Sequence, residues 1–240
     1  MEFNTNVLRN DEKIILALRS LYASFGYRQY KMSRFEEYDL YVRNKDFLVS
    51  DRIITFTDTN GHLMALKPDV TLSVIKSTSD EPGQVQKLYY NENVYRASDD
   101  LQGYREIMQA GLECIGDLSQ DNIAEVARLA ALSLKEISTD SILEISHLGI
   151  ICSILDQLEI TAGSKSGILR CINEKNTDTL DTICRDEGLS EDICSVLKEL
   201  TLFYLMPGEA VNRIKDSLED AGLLTPGSLM DAIDDLEGLL

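Results

Sequence analysis

The stretch KLYYNENVYRASDDLQGYREIMQAGLECIG, Lys87 to Gly116, reads as two strands joined by a polar loop. Along its second strand, one parity carries Arg105, Ile107, Gln109, Gly111, Glu113 and Ile115. The other carries Glu106, Met108, Ala110, Leu112 and Cys114. Side chains alternate across a strand, so the second set makes a mostly apolar face suited to packing under helices. The first set places a cation, an amide and a carboxylate along the opposite face. A strand whose other side is apolar has its polar side fixed in position, and such a row is a candidate binding surface.

Outward from this pair, NDEKIILALRSLYASFGY begins with Asn10 as a helix cap and Asp11 and Glu12 in the first turn. Ile14, Leu18, Leu21 and Phe25 recur at helical spacing, and Gly26 suits the terminus. RIITFTDTNGHLMALK alternates on both sides of Asn60-Gly61, a hairpin-turn signal. KPDVTLSVIKS starts a helix, with Pro68 at its first position. SQDNIAEVARLAALSLKEI is an amphipathic helix, and SILEISHL, from Ser141 to Leu148, is expected as another strand. From Gly149 onward, segments 149–160, 164–175, 177–187, 190–204, 207–220 and 226–240 all show helical period. The expected organisation is an α+β region over residues 1–148 followed by an all-helical region over 149–240.

Composition narrows the function classes. The 240 residues are 44% hydrophobic and 27% charged, ordinary for a globular protein. No apolar run nears the roughly 18 residues of a membrane span, and MEFNTNVLRNDEK lacks the pattern of a secretory signal. The cytoplasm is therefore the expected location. Five cysteines without a C-x-x-C pair, and only His62 and His147, argue against a zinc site, a disulfide framework or a histidine-based triad. The cysteines read as small buried hydrophobes. No metal and no cofactor are expected. The net charge of −18 divides into −4 over residues 1–118 and −14 over 119–240. Nucleic-acid affinity needs clustered Lys and Arg, which neither half offers. The acidic excess reads as solvated helix surface.

The order helix, strand, hairpin, LKPDVT helix, then VYR…GYREIMQAGLECIG resembles the catalytic core of class II aminoacyl-tRNA synthetases over about residues 8–150. The likeness is greatest to histidyl-tRNA synthetases and their non-synthetase relatives, the regulatory subunits of ATP phosphoribosyltransferase. FTDTNGHLMALKPDVT and the Lys87–Gly116 stretch carry it. The resemblance implies a class II synthetase-like antiparallel sheet flanked by helices, with the helical region after it. It also implies that the polar sheet face binds histidine through Asp69, Thr71, Arg96, Arg105, Gln109 and Glu113. The residue chemistry is compatible: carboxylates suit an ammonium or imidazole donor, and arginine suits a carboxylate. The alternative is a polar face that meets only solvent.

Departures from the synthetase pattern decide which branch the resemblance favours. Synthetases of this class place an acidic residue two positions after the motif arginine, where this chain reads Arg96-Ala97-Ser98. They stack an aromatic on adenine in the GYRE strand, where this chain has Ile107 and Met108. A late glycine-rich strand contacts the triphosphate, and this sequence contains no Gly-Gly pair. Adenylation requires preorganised cations or metal at the phosphates. The resemblance therefore implies a non-catalytic regulatory subunit, partnered with the short-form catalytic subunit of ATP phosphoribosyltransferase and with histidine as effector. In this family such chains are required for the partner's activity and mediate feedback inhibition in the first step of histidine biosynthesis. The family further implies a homodimer through about Asp11–Phe35. The competing readings are a histidyl-tRNA synthetase fragment and a dimerisation scaffold with a vestigial pocket.

Overall fold

The computed structural model describes residues 7–44, 53–78, 82–97 and 103–240. The chain divides into two compact units, Met1–Leu143 and Glu144–Leu240. The first holds all six strands, β1 (Arg28–Gln29), β2 (Phe35–Glu37), β3 (Thr55–Thr57), β4 (Leu63–Leu66), β5 (Val85–Ala97) and β6 (Tyr104–Gly116), among the described residues. Its helices are α1 (Asn10–Ser24), α2 (Tyr38–Arg43), α3 (Thr71–Ser77) and α4 (Gln120–Ile137).

The two strands of the decisive stretch form the frame. β5 and β6 pair antiparallel over their full length, and β1 joins β5 in parallel, giving the order β1-β5-β6. On one face, Tyr89, Leu112 and Cys114 pack against Leu18 and Tyr22 of α1 and Leu129 of α4. The cover ends before Met108, which is 46% exposed. On the other face, Val70 and Val74 of the α3 segment pack on Leu88, Val94 and Ile115. The polar parity of β6 is therefore partly roofed by a helix. A second sheet, β2-β4-β3, is antiparallel throughout. The two sheets meet at Lys67, whose N–H donates to the Arg34 carbonyl while its own carbonyl accepts from the Tyr95 N–H.

Several local details differ from the sequence expectation. The cap of α1 is Arg9 rather than Asn10, because the Glu12 carboxylate reaches back to accept the Arg9 N–H at 2.8 Å. Gly26, at φ +84°, follows the last turn as expected. The hairpin between β3 and β4 has a five-residue connection, Asp58–His62, rather than a two-residue turn centred on Asn60-Gly61. Asp58 Oδ1 organises it by accepting the N–H groups of Asn60 and His62, each at 2.8 Å. Pro68 is not the first helical residue, since α3 starts at Thr71. The Asp69 carboxylate accepts the Thr71 N–H at 2.8 Å and so serves the helix end that Pro68 was expected to open.

The expected strand at Ser141–Leu148 is absent: residues 141–147 are irregular and Leu148 begins α5 (Leu148–Gln157). Alternation alone does not make a strand without a neighbouring ladder, and Ile142 is left 78% exposed. The other helices of the second unit are α6 (Ala162–Glu174), α7 (Thr177–Asp186), α8 (Glu191–Leu202), α9 (Pro207–Asp220) and α10 (Ser228–Leu239). Thr161, Asn176 and Ser190 cap α6, α7 and α8 through their side-chain oxygens, and Pro207 opens α9. Their apolar stripes close one core around Ile154, Ile168, Leu180, Leu197, Leu218 and Ile233. Cys171 and Cys184 lie within it as buried thiols, and burial pushes Cys184 up to about 12.

Candidate functional site

The site begins with the turn Lys67-Pro68-Asp69-Val70, where the chain leaves β4 and starts α3. Lys67 is fully buried, and its ammonium lies 3.4 Å from Glu92 Oε2 on β5. Burial lowers the lysine pKa, and the charge and hydrogen bond of Glu92 oppose that shift. Next in the chain, the Pro68 carbonyl accepts a hydrogen bond from Arg96 Nε at 3.2 Å. A guanidinium carries five N–H donors, and this contact engages the Nε–H. Asp69 holds the start of α3, and Thr71 Oγ1 donates to Glu113 Oε1 at 2.9 Å. Strand β5, the α3 turn and strand β6 are thus tied together at Arg96, Asp69, Thr71 and Glu113.

The ladder register extends the surface. Leu88, Tyr90, Glu92, Val94 and Arg96 stand opposite Glu113, Gly111, Gln109, Ile107 and Arg105. Cross-strand partners share a face, so all ten point to one side. Gln109 and Glu113 are half-buried and four residues apart, or about 13 Å between Cα atoms. Burial raises the pKa of Glu113, the Asp69 charge adds to the rise, and the Thr71 hydroxyl opposes it. Glu113 is therefore a carboxylate short of positive partners, and a ligand ammonium or imidazole N–H would relieve it.

The six residues proposed from the sequence do not all come together. Asp69, Thr71 and Glu113 are joined by the hydrogen bonds above, and Arg96 donates to the Pro68 carbonyl at the start of the same turn. Gln109 shares their face across from Glu92. Arg105 is exposed and eight residues from Glu113, about 26 Å along the strand. Arg96 stands opposite it in the ladder, so the sheet sets both arginines at the far end of the face from Glu113. Ala97 ends β5, and Ser98 lies outside the described residues. Ile107 and Met108 are 37% and 46% exposed.

Sequence reasoning missed Lys67, Tyr90 and Glu92. A parity count along β5, matched to β6, would have placed Tyr90 and Glu92 on the polar face. It requires the register, and the connecting loop does not reveal that by inspection. Lys67 carried no signal, since a lysine before proline reads as exposed. Among the described residues, no group of three His, Cys, Asp or Glu side chains is placed to hold a metal ion. No described helix is long and apolar enough to cross a membrane.

Comparison with known proteins follows the same geometry. The family model for histidyl-tRNA synthetase matches residues 2–240. An ATP phosphoribosyltransferase regulatory subunit from Oceanobacillus iheyensis is 26% identical over 203 residues, covering 83% of this chain and 50% of the relative. A histidine–tRNA ligase from Methanocaldococcus jannaschii is 30% identical over 227 residues, covering 93% and 53%. The chain thus spans about half the length of these relatives. Among solved structures, a chain of the ATP phosphoribosyl transferase (HisG:HisZ) complex from Thermotoga maritima superposes with a TM-score of 0.68 at 20% identity. That match covers 100% of this chain and 76% of the other, and it establishes the fold. The chain belongs to the histidyl-tRNA synthetase family, and its α+β sheet with a following helical region is that family's class II fold.

Proposed function

We propose that this chain acts as a regulatory subunit of ATP phosphoribosyltransferase, binding histidine on the polar face of the β5–β6 pair and assembling with the short catalytic subunit. The observation that carries the reading is the hydrogen-bonded set Asp69, Thr71 and Glu113, with Arg96 donating to the Pro68 carbonyl of the same turn. It offers carboxylates to an ammonium and an imidazole, and a guanidinium to a carboxylate. Farther along the same strand pair, the positions where synthetases stack adenine carry Ile107 and Met108. An amino-acid site without an adenine platform suits an effector site better than an adenylating one. The regulatory-subunit relative from Oceanobacillus iheyensis supports the same branch, and the Thermotoga maritima complex supports the kind of partner.

In this reading the chain is non-catalytic, is needed for its partner's activity and transmits histidine feedback inhibition. We place its action in the cytoplasm and propose a homodimer through Asp11–Phe35. Within the subunit, α1 already packs Leu18 and Tyr22 inward, which leaves Leu16 and Phe35, 44% and 52% exposed, for a second copy. The second reading, a histidyl-tRNA synthetase fragment, rests on the Methanocaldococcus jannaschii relative. Reconstitution separates the two. Mixed with a short-form catalytic subunit, the chain should raise phosphoribosyl transfer to ATP, and histidine should suppress the gain. Histidine-dependent ATP–pyrophosphate exchange by the chain alone, with no effect on the catalytic subunit, would establish the synthetase reading instead.

A further inference from the structure

Tyr90 and Gly111 are direct partners in the β5–β6 ladder. A Cβ added at Gly111 would meet Tyr90 Oη at 2.6 Å and Cζ at 2.8 Å, so the phenol lies against the glycine backbone. Gly111 has no left-handed φ, so the close approach of the tyrosine, not backbone conformation, favours glycine here. Gly111 is also the midpoint between Gln109 and Glu113, two residues or about 6.7 Å from each. The register therefore stands the Tyr90 hydroxyl in the middle of the gap that those two side chains bracket. Burial and the charges of Glu113 and Asp69 push its pKa up to about 12, so the phenol keeps its proton.

We propose that Tyr90, seated on Gly111 between Gln109 and Glu113, is a specificity-determining residue that selects an imidazole over donor-only side chains. The proposal rests on the reading of this face as a histidine site. A neutral imidazole presents one N–H donor and one bare nitrogen acceptor, whereas lysine and arginine side chains only donate. Glu113 takes the donor. The Tyr90 hydroxyl donates to the acceptor, a contact that an ammonium or guanidinium cannot make. Carboxylates alone would favour the stronger cations, and the phenol reverses that order.

Calorimetric titration with histidine and with arginine, on the full chain mixed with its catalytic partner, tests this. Tyr90→Phe keeps the ring on Gly111 and removes only the hydroxyl. It should weaken histidine binding about 3- to 10-fold, the worth of one neutral hydrogen bond, and leave arginine binding unchanged or tighter. Gly111→Ala displaces the phenol and should lose a similar factor for histidine. Tyr90→Phe added to Gly111→Ala should then cost little more, because both remove the same contact. An equal loss for histidine and arginine would assign Tyr90 a packing role and overturn the inference, as would wild-type selectivity in Tyr90→Phe. Failure of the wild-type protein to bind histidine would overturn the histidine-site reading as well.

Discussion

The two units of the chain solve burial in different ways. In Glu144–Leu240, one contiguous apolar cluster gathers side chains from all six helices, and Thr161, Asn176 and Ser190 serve as polar caps. Among the described residues of Met1–Leu143, the buried apolar side chains divide into three small clusters, and a fully buried lysine lies at the junction of the two sheets. The difference teaches where function is carried. A single core makes a helical unit robust, and the polar side chains buried in it, Thr201 and Ser217, each donate to a carbonyl of their own helix. Divided cores leave room between them for Lys67, Glu92, Thr71 and Glu113, and those polar contacts are weaker sources of stability than apolar burial. The first unit sacrifices core continuity for a positioned polar face.

The contrast predicts its largest effect in the helical unit. Leu197 is fully buried on α8, and Leu197→Ala should cost about 2–5 kcal/mol by the lost transfer energy and the cavity left behind. Urea denaturation measures it, and histidine binding should survive in the folded fraction. A cost well below 1 kcal/mol would show that the cluster is loosely packed and would erase the distinction.

A somewhat smaller effect is expected at the sheet junction. Lys67→Met removes one member of a buried ion pair and leaves Glu92 facing an apolar chain. Breaking such pairs costs about 3–5 kcal/mol when both charges are enclosed, and the 17% exposure of the Glu92 side chain reduces this to about 2–4. Glu92→Gln in the same background should recover part of the loss, because the uncompensated charge is gone. Unfolding midpoints of the single and double variants decide the matter, and no recovery in the double variant would mean that Lys67 acts only through packing.

The pH dependence of Glu113 is the subtlest test. Its pKa is raised in the folded protein, so the folded state holds this proton more tightly than the unfolded chain does. The stability it contributes is fully present below the ordinary glutamate pKa of about 4.3 and is lost as pH rises through the folded value. Glu113→Gln has no such loss. The variant should therefore gain stability relative to the wild type between pH 4 and pH 7. Denaturation curves at both pH values check the sign, and a variant that loses relative stability over this interval would indicate a carboxylate held by positive partners instead.

Much of this contrast was legible in the residues. The six helices of the second unit follow from apolar period and caps, because a helix satisfies its own backbone hydrogen bonds and needs only one buried stripe. The β5–β6 pair was legible from alternation, and Asp69, Thr71, Arg96, Arg105, Gln109 and Glu113 were proposed through family motifs. What failed depends on hydrogen-bond and ladder partners, most of them distant in sequence. The Ser141–Leu148 alternation signals a strand only if another strand lies beside it. Pro68 suits a helix start in isolation, but the Asp69 carboxylate sets the start at Thr71. Tyr90, Glu92 and Lys67 belong to the polar face through register and burial, which local patterns do not encode.

The central claim is that this face binds histidine, and Glu113 is its most exacting probe. Calorimetric titration of histidine into the wild-type and Glu113→Gln proteins, each mixed with a short-form ATP phosphoribosyltransferase catalytic subunit, measures it directly. A charge-assisted hydrogen bond contributes about 1.5–3 kcal/mol, so the substitution should weaken binding roughly 10- to 150-fold without unfolding the protein. Equal affinities in the two proteins, or no binding by the wild type, would contradict the account and leave the polar strand face as a solvated surface.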